Sequence, residues 1–171
     1  MTQFLQENGQ LESVMISQVR DVINLSADWN LTTDERLELY IVCANALEVE
    51  GDSQGAFTIY YQTLQMTNGK NASKYQKEST ALLVNAVKGP EVINLEEILL
   101  LDAVKDLKKS AKQLFEFVEL FMKADVAAFK KGAQKMKKLM DEHKIAMDQA
   151  VLKKQYIDIC TLASKSDSSE M

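Results

Sequence analysis

One proline and six glycines are all the punctuation in 171 residues, and this scarcity sets the fold class. Proline lacks an amide donor, and glycine loses the most backbone entropy on ordering. A chain that nearly omits both has few interruptions to place inside helices. The strong helix formers Leu, Ala, Lys, Glu, Met and Gln are abundant instead. No stretch sustains the period-two alternation with β-branched residues that a half-buried strand needs. The expectation is an all-α protein.

Helix signals recur along the chain. A stripe of Leu11, Met15, Val19 and Val22 predicts a helix over about 10–26. Thr32 and Glu35 have the Thr-x-x-Glu spacing of a capping box, and Asp34 adds negative charge at the positive end of the helix dipole. The helix they open carries Leu37, Ile41, Ala44 and Leu47 on one face and Leu39, Cys43 and Ala46 on another, and should end at Gly51. Trp29, just before it, is expected to pack between flanking helices. Asp52 or Ser53 starts the next, with Ala56, Phe57, Tyr60 and Leu64 inward and a stop near Asn68-Gly69. Asn71 is expected to cap a helix carrying Tyr75, Leu82, Leu83, Ala86 and Val87 that stops at Gly89-Pro90. Asn94 with Glu97 predicts another cap, before Ile98–Leu101. Leu114, Phe117, Val118 and Phe121 mark a later helix. Asp125 should start one running through Phe129, Met136 and Met140, and Asp141 the last, through Ile145, Leu152, Tyr156, Ile159 and Leu162.

Helices joined by short turns predict a right-handed superhelical stack of antiparallel helix hairpins, one domain over 1–171 with short flexible ends near 1–8 and 165–171. The Ala56-x-x-x-Tyr60 spacing is similar to tetratricopeptide repeats, yet no regular period runs through the chain.

Three triplets spell N-glycosylation acceptors: Asn24-Leu25-Ser26, Asn30-Leu31-Thr32 and Asn71-Ala72-Ser73. Thr32 has a competing role, because a capping hydroxyl is occupied by backbone N–H groups. The first residues, MTQFLQENGQ, have neither the basic nor the apolar region of a signal peptide. Cys43 and Cys160 lie far apart and read as reduced core thiols. Apolar runs such as Ile98–Leu101 are far short of a membrane span. These features point to the cytoplasm and make the sequons coincidental.

No constellation for catalysis stands out. His143 is the sole histidine, no Cys-x-x-Cys occurs, and the glycines do not form a phosphate loop. No enzyme, metal or cofactor is expected. Charge is more telling. Residues 1–104 carry a net −9, residues 105–154 a net +6, and the rest −2. Lys131, Lys135 and Lys138 recur at helical spacing as a candidate interaction surface, opposite Phe129, Met136 and Met140. A solvated face, an acidic protein partner and an RNA backbone are the alternatives. The stripe lacks stacking aromatics and the segment lacks arginine, which argues against base reading.

Two stretches carry more than generic helix grammar. "SADWNLTTDERLELY" at 26–40 and "NASKYQKESTALLVNAVKGPEVINLEEILLLDAVKDL" at 71–107 resemble subunit M of eukaryotic translation initiation factor 3, a PCI-domain family. The resemblance continues more loosely from Asp125 to Ala163. It implies a non-catalytic scaffold in a multisubunit complex, partnered by other initiation factor 3 subunits of PCI and MPN type. Contact with the small ribosomal subunit would run through that complex. PCI domains end in a winged helix; no strand-like sequence follows the last helix here, so this part of the family pattern is missing. The chain is therefore expected to be a helical part of a longer protein. A PCI subunit of the signalosome or proteasome lid, and an RNA-binding helical repeat, remain alternatives.

Overall fold

A computed structural model describes residues 21, 26, 28–67 and 72–167. The helix expected over 10–26 and the cap expected at Asn71 lie outside these residues. Among the described residues there are nine α-helices, one short 3-10 helix and no strand. The chain divides into two compact units, Met1–Asn68 and Gly69–Met171.

In the first unit, α1 (Thr33–Val49) and α2 (Ser53–Gln65) form a helical hairpin. The expected capping box opens α1: Glu35 N–H donates to Thr32 Oγ1, and the Glu35 carboxylate accepts from the Thr32 N–H at 2.9 Å. Gly51 closes it at φ +85°, where a Cβ would be strained. Asp52 then caps α2 through the Gly55 N–H at 2.8 Å. Leu37, Tyr40, Cys43, Ala44 and Leu47 are buried on α1, with Ala56, Ile59, Tyr60, Thr63 and Leu64 on α2. Ile41, Leu39 and Phe57, expected inward, are only half-buried. The Tyr60 hydroxyl reaches back across the hairpin to Asn45 Oδ1 at 2.8 Å, so the contact is polar as well as apolar.

Trp29 corrects the sequence expectation: it is 46% exposed. It sits in the turn where the Leu31 N–H bonds the Trp29 carbonyl. The buried position beside α1 belongs instead to Ser26, whose hydroxyl lies 3.2 Å from that of Tyr40.

In the second unit, a 3-10 turn (Ala72–Tyr75) leads into α3 (Gln76–Lys88), followed by α4 (Leu95–Leu99), α5 (Asp102–Ser110) and α6 (Lys112–Lys123). Then come α7 (Val126–Lys135), α8 (Lys137–Glu142) and α9 (Met147–Asp167). Helix α3 is buried continuously from Leu82 to Val87 because α5, α6 and α9 all pack against it. Leu114, Phe117, Val118 and Phe121 line the inner face of α6 as expected. Phe117, Phe121 and Phe129 form an aromatic cluster joining α6 to α7, the last two rings 4.5 Å apart.

Several boundaries differ from the sequence expectation. Asn94 precedes α4 but its side chain makes no capping bond. Several helices after Gly89 are short, α4 having five residues and α8 six. Asp141 lies inside α8, and the chain turns at Lys144 (φ 53°) before α9 begins at Met147. The largest correction concerns α9. Leu152, Tyr156, Ile159 and Leu162, expected in the core, are exposed, while Ala150, Lys153, Lys154 and Ile157 are buried. Periodicity locates a stripe but not the side on which neighbours stand, and here polar bonds fix the side. Lys153 Nζ donates to the carbonyls of Ala86 and Gly89 at the end of α3, and Lys154 Nζ meets Asp158 Oδ1 at 2.5 Å.

Candidate interaction surface

Asp125 sets the start of the basic segment by accepting the Ala128 N–H at 2.7 Å. From there Phe129 and Ala133 point inward with no exposure, which turns Lys130, Lys131 and Lys135 to solvent. Gly132 does not kink the helix. A Cβ there would lie 2.8 Å from Leu120 Cδ1, so glycine lets α7 approach α6. The interruption comes at Met136 (φ −103°, ψ 22°), the joint between α7 and α8. Lys131 and Lys135 therefore share one helix, while Lys138 sits past the joint on α8. Of the three methionines expected in the core, Met140 is buried, but Met136 and Met147 are half-buried.

Lys131, Lys135 and Lys138 are all exposed. Among the described residues their side chains make no ion pair or hydrogen bond, in contrast with lysines on neighbouring helices. Lys105 pairs with Asp102 at 3.2 Å, Lys112 with Glu116 at 3.5 Å and Lys123 with Glu119 at 2.7 Å. For Lys131 and Lys135 the difference is written in the sequence, since no acid stands three or four positions from either, whereas Lys138 has Asp141 and Glu142 at those spacings and still makes no pair. Lys130 and Lys137, also exposed, belong to the same surface. The three-residue stripe omits them. Unpaired ammonium groups at this density leave a positive potential whose reach is set by ionic strength.

Thr32 and Glu35 are structural. The Thr32 hydroxyl donates to Glu35 Oε2 at 2.7 Å while accepting the Glu35 N–H, and these bonds hold the Glu35 carboxyl below its ordinary pKa. Cys43 is fully buried and its thiol is pushed up to about 11, which makes it inert. Cys160 is a half-buried free thiol. His143 ends α8, half-buried. Among the described residues, no three His, Cys, Asp or Glu side chains are grouped so as to hold a metal, and no helix is long and apolar enough to cross a membrane.

Helices alone among the described residues, with caps at Thr32 and Asp125, invite comparison with known proteins. It is 34% identical over 97 residues to eukaryotic translation initiation factor 3 subunit M of Aspergillus terreus, a match covering 56% of this chain and 21% of that protein. The resemblance to subunit M holds. The subunit M proteins of Coccidioides immitis and Pongo abelii are each 26% identical, over 84% and 86% of this chain and 31% and 38% of their own lengths. The chain thus spans about a fifth to two fifths of the curated relatives it matches. No family model matches it, and no solved structure does.

Proposed function

We propose that this chain is a non-catalytic scaffold part of eukaryotic translation initiation factor 3, acting in the cytoplasm as the helical-repeat region of a subunit M protein. The carrying observation is the similarity to subunit M from fungi and from a primate, extending over as much as 86% of the chain. In this reading the helix hairpins stack into the right-handed array of a PCI protein, and neighbouring subunits hold the chain near the small ribosomal subunit. The unpaired lysines of 126–140 meet an acidic protein surface rather than RNA bases, since the stretch has no arginine and its one aromatic, Phe129, is buried. The test is native affinity purification of the tagged protein from its own cells. Recovery of the other initiation factor 3 subunits in stoichiometric amounts is the expected result. Recovery of signalosome or proteasome-lid subunits instead would overturn the assignment.

A further inference from the structure

Helices α6 and α7 touch closely at one level and part at the next. At Gly132 the backbone of α7 stands so near α6 that an added Cβ would lie 2.8 Å from Leu120 Cδ1. One turn on, α7 ends at the Met136 joint, and an open groove of about 400 Å³ lies between Met136 and α6. Leu120, Ala124 and Met136, all half-buried, give the groove its apolar lining. Glu116, Glu119 and Lys123 complete its wall on the α6 side.

The charges around this groove are unequal. Lys112 Nζ lies 3.5 Å from the Glu116 carboxylate and Lys123 Nζ 2.7 Å from that of Glu119, so each acid of the α6 wall has a cation one turn away. The α7 side has no such compensation. At 3.6 residues per turn, Lys135 stands about 60° and Lys131 about 100° round the helix from Gly132, both away from the buried Phe129 and Ala133. Lys130, on the same basic surface, stands about 160° from Gly132 and farther from the groove. The surplus charge at the mouth is therefore positive, and it comes from Lys131 and Lys135.

We infer that the groove seats an apolar side chain of an acidic protein segment whose flanking carboxylates meet Lys131 and Lys135. An apolar cleft alone would take any hydrophobic side chain. Uncompensated ammonium groups beside it favour a segment with acids next to its anchor and disfavour a basic one. The anchor adds what the lysines cannot supply. Charge pairs at an exposed rim chiefly speed encounter, whereas a side chain held in a pocket slows release. RNA offers phosphates to the lysines but no aliphatic group to the groove. The inference rests on the reading that these lysines meet an acidic protein surface, and it names the form of that surface.

Fluorescence anisotropy tests it, with a labelled glutamate-rich peptide carrying one central leucine, titrated with the whole chain at low and moderate salt. The peptide should bind, more tightly at low salt. Replacing its leucine by glycine leaves its charge unchanged and should weaken binding about tenfold. Ala124→Trp fills the groove and keeps every lysine. It should weaken the leucine peptide to the same extent and the glycine peptide hardly at all, with far-UV circular dichroism confirming the fold. Lys135→Glu should weaken both peptides, and more than Lys130→Glu does. Equal binding of the two peptides, or binding of neither, would overturn the inference. A polyuridylate strand that binds more tightly than the leucine peptide, and is indifferent to Ala124→Trp, would overturn it too and give the lysines to RNA. Native purification tests the scaffold reading separately, so a chain that recovers initiation factor 3 subunits yet ignores the leucine fails this inference alone.

Discussion

Lys153 donates its ammonium to the Ala86 carbonyl, so a cation on α9 closes the C-terminal end of α3. The last carbonyls of a helix carry partial negative charge and lack intrahelical donors, so a cation is well placed there. Burial opposes this by penalising the charged form, and it lowers the Lys153 pKa to about 8.

The pH dependence follows from that depression. An unfolded lysine titrates near 10.5, so between about pH 8 and 10.5 the unfolded state binds more protons than the folded state. The contribution of Lys153 to stability therefore rises with pH through this window, by at most about 3 kcal/mol over its full width. Below pH 8 the buried charge is present and its penalty is undiminished. Urea denaturation at several alkaline pH values, comparing wild type with Lys153→Met, isolates the effect. The difference between the two should change across the window in the direction that favours wild type as pH rises.

The cap of α1 gives a second prediction. Thr32→Ala removes the acceptor of the Glu35 N–H and should destabilise the protein by about 1 kcal/mol. It should also raise the Glu35 pKa, because the Thr32 hydroxyl is the largest cause of its depression. Carboxylate titration by NMR would report this directly. An unmoved Glu35 would mean that the backbone bond from Thr32 holds it alone.

Gly132 separates helix propensity from packing. In an open helix, Gly→Ala stabilises by about 1 kcal/mol. Here the added Cβ would meet Leu120 Cδ1 at 2.8 Å, so Leu120 must move. Gly132→Ala should therefore gain little or nothing in wild type. In a Leu120→Ala background it should gain close to the full amount. Denaturation midpoints of the four proteins measure this coupling.

What could be read from the sequence divides along physical lines. Thr32 with Glu35, Asp125, Gly51 and the Leu114-Phe117-Val118-Phe121 stripe are local signals, settled by residues within a few positions, and the structure carries them all. Asn94 has the right residue type, but its side chain does not make the bond. The failures at Trp29 and α9 are of another kind. A tryptophan or an apolar stripe says that burial would be favourable, not that a neighbour is present to provide it. On α9 the outcome was decided by Lys153 reaching residues more than sixty positions away, which no local pattern encodes. The exposure of Lys131, Lys135 and Lys138 was legible from their placement opposite Phe129. The joint at Met136 that separates Lys138 from the others was not, since methionine is an ordinary helix former.

That joint shapes the last prediction. Reversing Lys131, Lys135 and Lys138 to Glu changes three exposed, unpaired side chains and should leave the fold intact. The charge of the segment should nevertheless invert from +5 to −1, with Lys130 and Lys137 still present. An acidic partner would then be repelled, and the protein should be lost from its complex with other subunits, with association slowed more than dissociation is hastened. Because Lys131 and Lys135 share α7 while Lys138 stands on α8, the pair Lys131→Glu and Lys135→Glu should have a larger effect than Lys138→Glu alone. Native purification of each variant at low and moderate salt checks the order. Loss of ribosome binding with subunit association intact, and steep in salt, would identify RNA as the partner instead. Unchanged association for all variants at both salts would reduce the surface to a solubilising face. Failure of Lys138→Glu, with the Lys131 and Lys135 pair tolerated, would place the contact on α8.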